Sequence, residues 1–361
     1  MRWDDLRVPE GDAARAAPPL PLALPGAVTR TFDTPGFAGM TFYEVRAKSI
    51  INRVPARSRV PFEWTINPYR GCSHACIYCF ARNTHTYLDL DAGRDFDTRV
   101  VVKVNAGELL RKELAAPSWR GGHIAMGTNV DCYQRAEGRY RLMREILAAL
   151  RDFANPFSIL TKGTLITRDL DLLTQAAEVT SVGVSLSVGF VDETLWRSVE
   201  PGTPSPRRRL DAVRQLSDAG FAVGVLMAPI LPGLTDTDES IEATVAALAR
   251  AGAASVTPLA LHLRPGAREW YLGWLSREHP RLLPLYRELY GDRAYLGSAY
   301  QREIAARVRR AARRHGLRAA GSGESRQVPA SPEEAKTLRY GVPRAAAGRR
   351  GRPGFEQLTL L

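Results

Sequence analysis

The 361 residues predict an α/β protein built on a parallel sheet, and three observations carry that reading. Short apolar or β-branched runs alternate with amphipathic helical stretches from Arg99 to Leu275. Strands separated in this way pair in parallel through right-handed crossovers. The six or seven units this makes are enough for a full or partial β/α barrel, or for a doubly wound sheet. The third observation is the composition: 45% hydrophobic and 24% charged, ordinary for a globular chain, which excludes a wholly disordered or fibrous one.

The elements follow in order. Arg99–Val104 is a β-branched run, and Ala106–Leu114 a helical stretch. His123–Gly127 reads as a strand. Gly138–Phe153 reads as one amphipathic helix, with Leu142, Ile146, Leu147 and Leu150 on one face. Phe157–Thr161 is a strand and Thr167–Ala177 a helix. Val182–Val188 is a strand, and Ser205–Ala219 a helix opened by Ser-Pro, a cap followed by a residue that needs no N–H. Phe221–Ile230 is a strand, and Thr237–Ala251 a helix that Gly252 is placed to end. Ser255–Leu261 and Pro265–Leu275 complete the series as strand and helix.

Outside this core the chain changes character. Residues 1–45 are rich in Pro, Ala and Gly and read as an N-terminal arm, residues 46–320 as the core domain, and residues 321–361 as a flexible basic tail. The tail's last residues, Phe355-Glu-Gln-Leu-Thr-Leu-Leu361, form an apolar tag able to dock on the core. The longest apolar run, near Phe221–Leu234, is broken by Gly224, Pro229, Pro232 and Gly233 and is too short to span a bilayer. Acids stand at Asp4 and Asp5, where a secretory signal carries basic residues, so the expected location is cytoplasmic, with no membrane partner. The formal charge of +12 invites a polyanion partner, although a chain so rich in Ala, Arg, Gly and Pro also acquires such a charge from composition alone. Nothing in the sequence fixes the oligomeric state, and a monomer is compatible with it.

Three of the four cysteines lie within eight residues, in Thr65-Ile-Asn-Pro-Tyr-Arg-Gly-Cys72-Ser-His-Ala-Cys76-Ile-Tyr-Cys79-Phe80. A disulfide closing so small a loop gains little, whereas clustered thiols in a reducing compartment hold metals. Thiolates spaced by three and two residues suit three irons of a cubane, leaving the fourth open. Structural zinc is the rival, since Cys132 or His74 would supply the fourth ligand it needs.

Cys72-x-x-x-Cys76-x-Tyr78-Cys79 resembles the radical S-adenosylmethionine signature. The likeness extends to Gly127-Thr-Asn-Val-Asp131, Tyr133-Gln134, Thr161-Lys162, Glu200-Pro-Gly-Thr-Pro-Ser-Pro206 and Ala228-Pro-Ile-Leu-Pro-Gly-Leu-Thr-Asp236, and these look like the spore-photolyase-like branch. The resemblance implies a partial (β/α)6 TIM-type barrel, with a [4Fe–4S] cluster on Cys72, Cys76 and Cys79 in the loop after the first strand. It implies that S-adenosyl-L-methionine chelates the open iron and is split to a 5′-deoxyadenosyl radical, fed by an electron donor such as flavodoxin or ferredoxin. It also implies that Asn129 meets the methionyl end of the cofactor, Lys162 its carboxylate or ribose, and Ala228 and Tyr78 its adenine. Ser185 and Ser187 alternate onto one strand face and suit a ribose. Arg197 and Glu200 form either a structural ion pair or a cofactor-positioning one.

The chain departs from the branch at the hydrogen relay. Phe80 stands where the resemblance expects a tyrosine, and Gly127 where it expects a donor cysteine. Cys132 is the candidate replacement donor, set against a reading as an inert core thiol. The expected function is therefore a radical enzyme of unassigned substrate, with a nucleic acid as an extension. The alternative is a zinc-stabilised nucleic-acid-binding protein without catalysis.

Overall fold

A computed structural model describes residues 24–321, apart from positions 25, 56, 57 and 59; the expected apolar tag and the basic run Arg344–Arg352 lie outside the described residues. Twelve strands are present among them: β1 Val28–Arg30, β2 Thr41–Val45, β3 Ile51–Arg53, β4 Trp64–Ile66, β5 Tyr69–Arg70, β6 Arg99–Lys103, β7 Ile124–Met126, β8 Phe157–Thr161, β9 Val182–Ser187, β10 Gly224–Ile230, β11 Ser255–Ala260 and β12 Arg318–Ala319. Eight form one sheet in the order β12-β11-β10-β9-β8-β7-β4-β3. Within it β4, β7, β8, β9, β10 and β11 run parallel in sequence order, the expected (β/α)6 succession. The short β12 extends the sheet in parallel at one edge, and β3 pairs antiparallel at the other.

That the sheet curls is shown by its lining residues. Arg53 of β3 and Arg264, just past β11, border the same cavity although their strands stand near opposite edges. β-branched and aliphatic side chains dominate the strands because both faces are covered. Met126, Phe157, Val225 and Met227 are almost wholly buried, each stabilising the core by about 1.5–3 kcal/mol through removal from water.

The helices obey their local signals. Ser205 caps Pro206–Asp218 by accepting from the Arg208 N–H at 3.4 Å, and Thr237 caps Asp238–Arg250 by accepting from the Ser240 N–H at 3.1 Å. Gly252 ends the latter helix at φ +80°. The stretch Gly138–Phe153 is two helices rather than one, Glu137–Tyr140 and Leu142–Asp152, because Arg141 adopts a left-handed φ of +54° between them. The helix expected from Thr167 begins instead as 3₁₀ turns over Thr164–Asp169 and becomes α-helical over Leu170–Val179.

Two strand placements differ from the simple alternation. β6, the first predicted strand, does not join the main sheet; it lies in a second sheet, β1-β2-β6-β5. Strands β1 and β2 fall within residues 1–45, read from the sequence as an arm, and β2 pairs in parallel with β6 over Thr41–Val45 and Arg99–Lys103. Between β4 and β7 the chain leaves the main sheet, and this excursion carries the cysteine loop. No described helix is long and apolar enough to cross a membrane.

Candidate active site

The cysteine loop is held in shape mostly by backbone bonds. Gly71 turns the chain at φ +84°, where a Cβ would stand 2.7 Å from the Arg99 carbonyl oxygen. The Cys72 N–H donates to the Phe96 carbonyl at 2.9 Å, and the Ile77 N–H to that of Val199 at 3.0 Å. Gln134, fully buried, clamps both sides of the turn: its Oε1 accepts from the Ser73 N–H and its Nε2 donates to the Gly71 carbonyl, each at 2.9 Å. Gly202 donates to the His74 carbonyl at 3.1 Å and packs so closely that a Cβ would be 2.0 Å from the Ser73 carbonyl oxygen. Thus Tyr133-Gln134 and Glu200-Pro-Gly both serve the shape of the loop. Arg82, fully buried, donates from Nη2 to the Cys76 carbonyl at 2.9 Å and pairs with Asp97.

Cys72, Cys76 and Cys79 all line one cavity of about 210 Å³. The same cavity is bordered by Tyr78, Asn129, Lys162, Ser187 and Ala228, which come from the C-terminal ends of β7, β8, β9 and β10 and from the cysteine loop. That is where an α/β sheet of this kind gathers its chemistry. Two predicted residues stand apart. Ser185 is buried two positions back along β9, opposite Gly224, and does not border the cavity. Cys132 points into the main hydrophobic core with Val130 and Tyr133 and does not border it either. The four cysteines form no disulfide.

Around this cavity the polar groups are tightly organised. Lys162 donates from Nζ to the Ser187 hydroxyl at 2.8 Å, and its ammonium lies 5.7 Å from the centre of the Tyr78 ring. The Ser187 hydroxyl in turn donates a hydrogen bond to the Ala228 carbonyl at 3.0 Å. Asp131 is the hub beneath: it accepts from the Lys162 N–H at 2.7 Å and the Thr161 hydroxyl at 2.5 Å, and His74 Nδ1 lies 3.3 Å away. Burial alone would raise the Asp131 pKa, but His74 and these donors hold it at about 2. The ion pair expected between Arg197 and Glu200 is not formed. Arg197 faces Glu193 on the surface at 3.9 Å, while Glu200 pairs with the buried Arg209 at 2.5 Å and accepts the Tyr78 hydroxyl proton. Arg209, Gln134 and Asp131 were not singled out from the sequence; only their positions within or beside the quoted motifs marked them. His262, also on the cavity wall, is pushed down to about 4 by burial and by Arg264, so its imidazole is neutral near pH 7.

Gly127 ends β7 at φ +73°, and a Cβ there would stand 1.8 Å from the Leu160 carbonyl oxygen. The strand end that the resemblance equates with a donor cysteine therefore has no room for any side chain.

Burial pushes all three loop thiols up, Cys72 most clearly, with neighbouring negative charges adding to the effect there. Thiols in such a place lose their protons when a metal group compensates the charge. Among the described residues no group of three or more His, Cys, Asp or Glu is drawn close enough to hold a single metal ion.

With this geometry in hand, the comparisons define a class. The chain belongs to the radical SAM superfamily, whose pattern matches residues 66–248. It is 46% identical over 339 residues to the uncharacterized protein Rv2578c of Mycobacterium tuberculosis (strain ATCC 25618 / H37Rv), covering 93% of this chain and 97% of that one. The uncharacterized protein MJ0683 of Methanocaldococcus jannaschii is 31% identical over 203 residues, covering 56% of this chain and 72% of that one. Among solved structures, spore photoproduct lyase complexed with dinucleoside spore photoproduct aligns with a TM-score of 0.57 at 16% identity, covering 78% of this chain and 81% of that one. At that identity the likeness concerns the fold. Membership of the superfamily implies S-adenosylmethionine and an iron–sulfur cluster as the associated groups.

Proposed function

We propose that this protein is a radical enzyme holding a [4Fe–4S] cluster on Cys72, Cys76 and Cys79 and binding S-adenosylmethionine beside it. One observation carries the reading: the buried Cys72 and Cys76 and the half-buried Cys79 border the same cavity as Lys162, Ser187, Asn129 and Ala228. The donor set fits such a cluster, being three sulfurs with no fourth cysteine on the wall. It fits closed zinc poorly, because Cys132 faces the core and His74 is engaged by Asp131. Held by Cys72, Cys76 and Cys79, such a cluster would supply the electron for reductive cleavage of the S-adenosylmethionine sulfonium, and so the radical chemistry by which a substrate would lose hydrogen.

The chain's own part is binding and exclusion. Lys162 is the cation for the cofactor's carboxylate or ribose oxygens, and Ser187 both orients that ammonium and fixes the Ala228 carbonyl. Tyr78 offers a ring face to the adenine side, held by Glu200 and Arg209 behind it. Asn129, exposed at the end of β7, is free to meet the methionyl end. Packed apolar walls keep out water and stray hydrogen donors. Reduction calls for a small one-electron carrier of the flavodoxin or ferredoxin type. Neither Phe80 nor Gly127 has an O–H or S–H to return a hydrogen atom, so the reading stops at abstraction and assigns no lesion repair.

The test is anaerobic reconstitution, reduction, addition of S-adenosylmethionine, and mass spectrometry for 5′-deoxyadenosine, with Cys76→Ala alongside. Product from the parent and none from the variant supports the reading. Bound zinc without sulfide overturns it in favour of a structural metal.

A further inference from the structure

Behind the cysteine loop, out of reach of the cavity, sits a buried charge. Arg82 follows shortly after Cys79 in the 3₁₀ turns Phe80–Leu88, is 0% exposed, and does not border the cavity. Every nitrogen of its guanidinium is directed inward. Nη2 and Nε donate to the Cys76 carbonyl at 2.9 and 3.3 Å, and Nη1 donates to the Gly93 and Ala92 carbonyls at 2.8 and 3.3 Å. Nη2 also donates to Asp97 Oδ1 and Oδ2, at 2.9 and 3.0 Å. The rings of Phe96 and Trp270 lie 5.4 and 4.9 Å from the guanidinium carbon, apolar and cation-attracting surfaces that keep water from it. Trp270 packs so closely here that a Cβ on Gly93 would stand 2.5 Å from its ring.

Holding three backbone carbonyls needs N–H donors, which neutral amides also offer, and does not need a desolvated cation. The pair is lopsided as well: the Arg82 side chain is fully buried, whereas that of Asp97 keeps 13% of its surface exposed. The cation is the member that touches the Cys76 backbone, and the anion is the one that water can screen. The field at the loop is therefore positive on balance. The Cys79 thiol registers the same balance, since burial pushes it up, Arg82 opposes this, and Asp97 adds only a smaller push upward. From this arrangement we infer that Arg82 is a positioning residue that raises the reduction potential of the group held by Cys72, Cys76 and Cys79, with Asp97 as its counterweight. The inference rests on the iron–sulfur reading above. An added electron makes such a group more negative, and a cation buried beside its ligands stabilises the reduced form more than the oxidised one. Because Arg82 does not border the cavity, it acts through the loop and not by contact with cofactor or substrate.

The test uses the full chain reconstituted with iron and sulfide, without S-adenosylmethionine. Iron and sulfide are counted, and the midpoint potential is read by redox titration followed by electron paramagnetic resonance. Arg82→Met is expected to lower the potential, making one-electron reduction about tenfold less favourable, or about 59 mV. Asp97→Asn should move it upward instead, because the guanidinium keeps its charge and loses its counterweight. Arg94→Gln, an exposed arginine on the neighbouring helix Arg94–Thr98, is the control and should leave the potential unchanged. Opposite signs in the two members of one ion pair separate a field from a clamp, since a clamp fails in the same way whichever partner is lost. Shifts of the same sign, or no shift in either variant, would overturn the inference. If Arg82→Met does not hold the cluster, the direction of the Asp97→Asn shift decides alone. A parent protein that takes up iron and sulfide and forms 5′-deoxyadenosine, yet shows no such split, sinks the role of Arg82 and spares the radical reading. A parent that takes up no iron and sulfide sinks both.

Discussion

Glu200 Oε2 and Arg209 Nη2 meet at 2.5 Å with both side chains out of contact with solvent. Arg209 also donates to the Ser187 carbonyl at 2.9 Å, and Glu200 receives the Tyr78 hydroxyl. One buried pair therefore ties the end of β9 to the cysteine loop.

Removing one partner of such a pair leaves a charge stranded in the interior. Glu200→Ala is expected to destabilise the protein by about 3–5 kcal/mol, read as a lowered urea midpoint. Burial pushes the Glu200 pKa up, but Arg209 and Lys162 outweigh it and leave it below the ordinary 4.5. Its contribution is thus present above about 4.5 and lost as the pH falls through the lower folded value. A stability difference between parent and variant that does not shrink as the pH falls below 4.5 would refute this.

Lys162→Met removes the cation that Ser187 orients. Affinity for S-adenosylmethionine should fall about tenfold in the oxidised, reconstituted protein, the scale of one charge-assisted bond. Unchanged affinity by calorimetry would remove Lys162 from the cofactor's contacts.

The cysteines should separate into two groups. Cys72→Ala, Cys76→Ala and Cys79→Ala are each expected to lose most of their iron and sulfide and the visible absorption that accompanies them. Cys132→Ala should keep both and still form 5′-deoxyadenosine, at a cost of about 1 kcal/mol from the small void it leaves in the core. Loss of product with the iron retained would make Cys132 a reacting group after all.

A cysteine cannot be restored at the end of β7. Gly127→Cys and Gly127→Ala should be comparably destabilised, by at least the roughly 1–2 kcal/mol of a left-handed residue with a Cβ, and by more for the clash with Leu160. The check is thermal unfolding of both variants; a stable Gly127→Cys protein would show that the β7–β8 backbone yields.

Much of the fold was legible because its signals are local. The periodicity gave Ala106–Leu114 and Phe157–Thr161 to the residue, and the caps at Ser205 and Thr237 appear where Ser-Pro and Thr-Asp stand. The helix 138–153 was read as continuous because a backbone turn at Arg141, a residue with no special preference for it, leaves no mark on hydrophobic spacing.

What the sequence by itself determined was the succession of strands and helices, the three-thiol loop with its superfamily, and the polar residues at strand ends that share its cavity. The tertiary structure alone decided which distant segments meet. It put β6 beside β2 rather than in the main sheet, gave Glu200 to Arg209 rather than Arg197, turned Cys132 into the core, and left Ser185 beneath the site that Ser187 reaches. It also brought residues 53 and 264, on or just past strands near opposite edges of the sheet, to the border of one cavity. The physical reason is one of range: side-chain alternation and capping act over a few residues, whereas pairing and burial depend on where the chain returns.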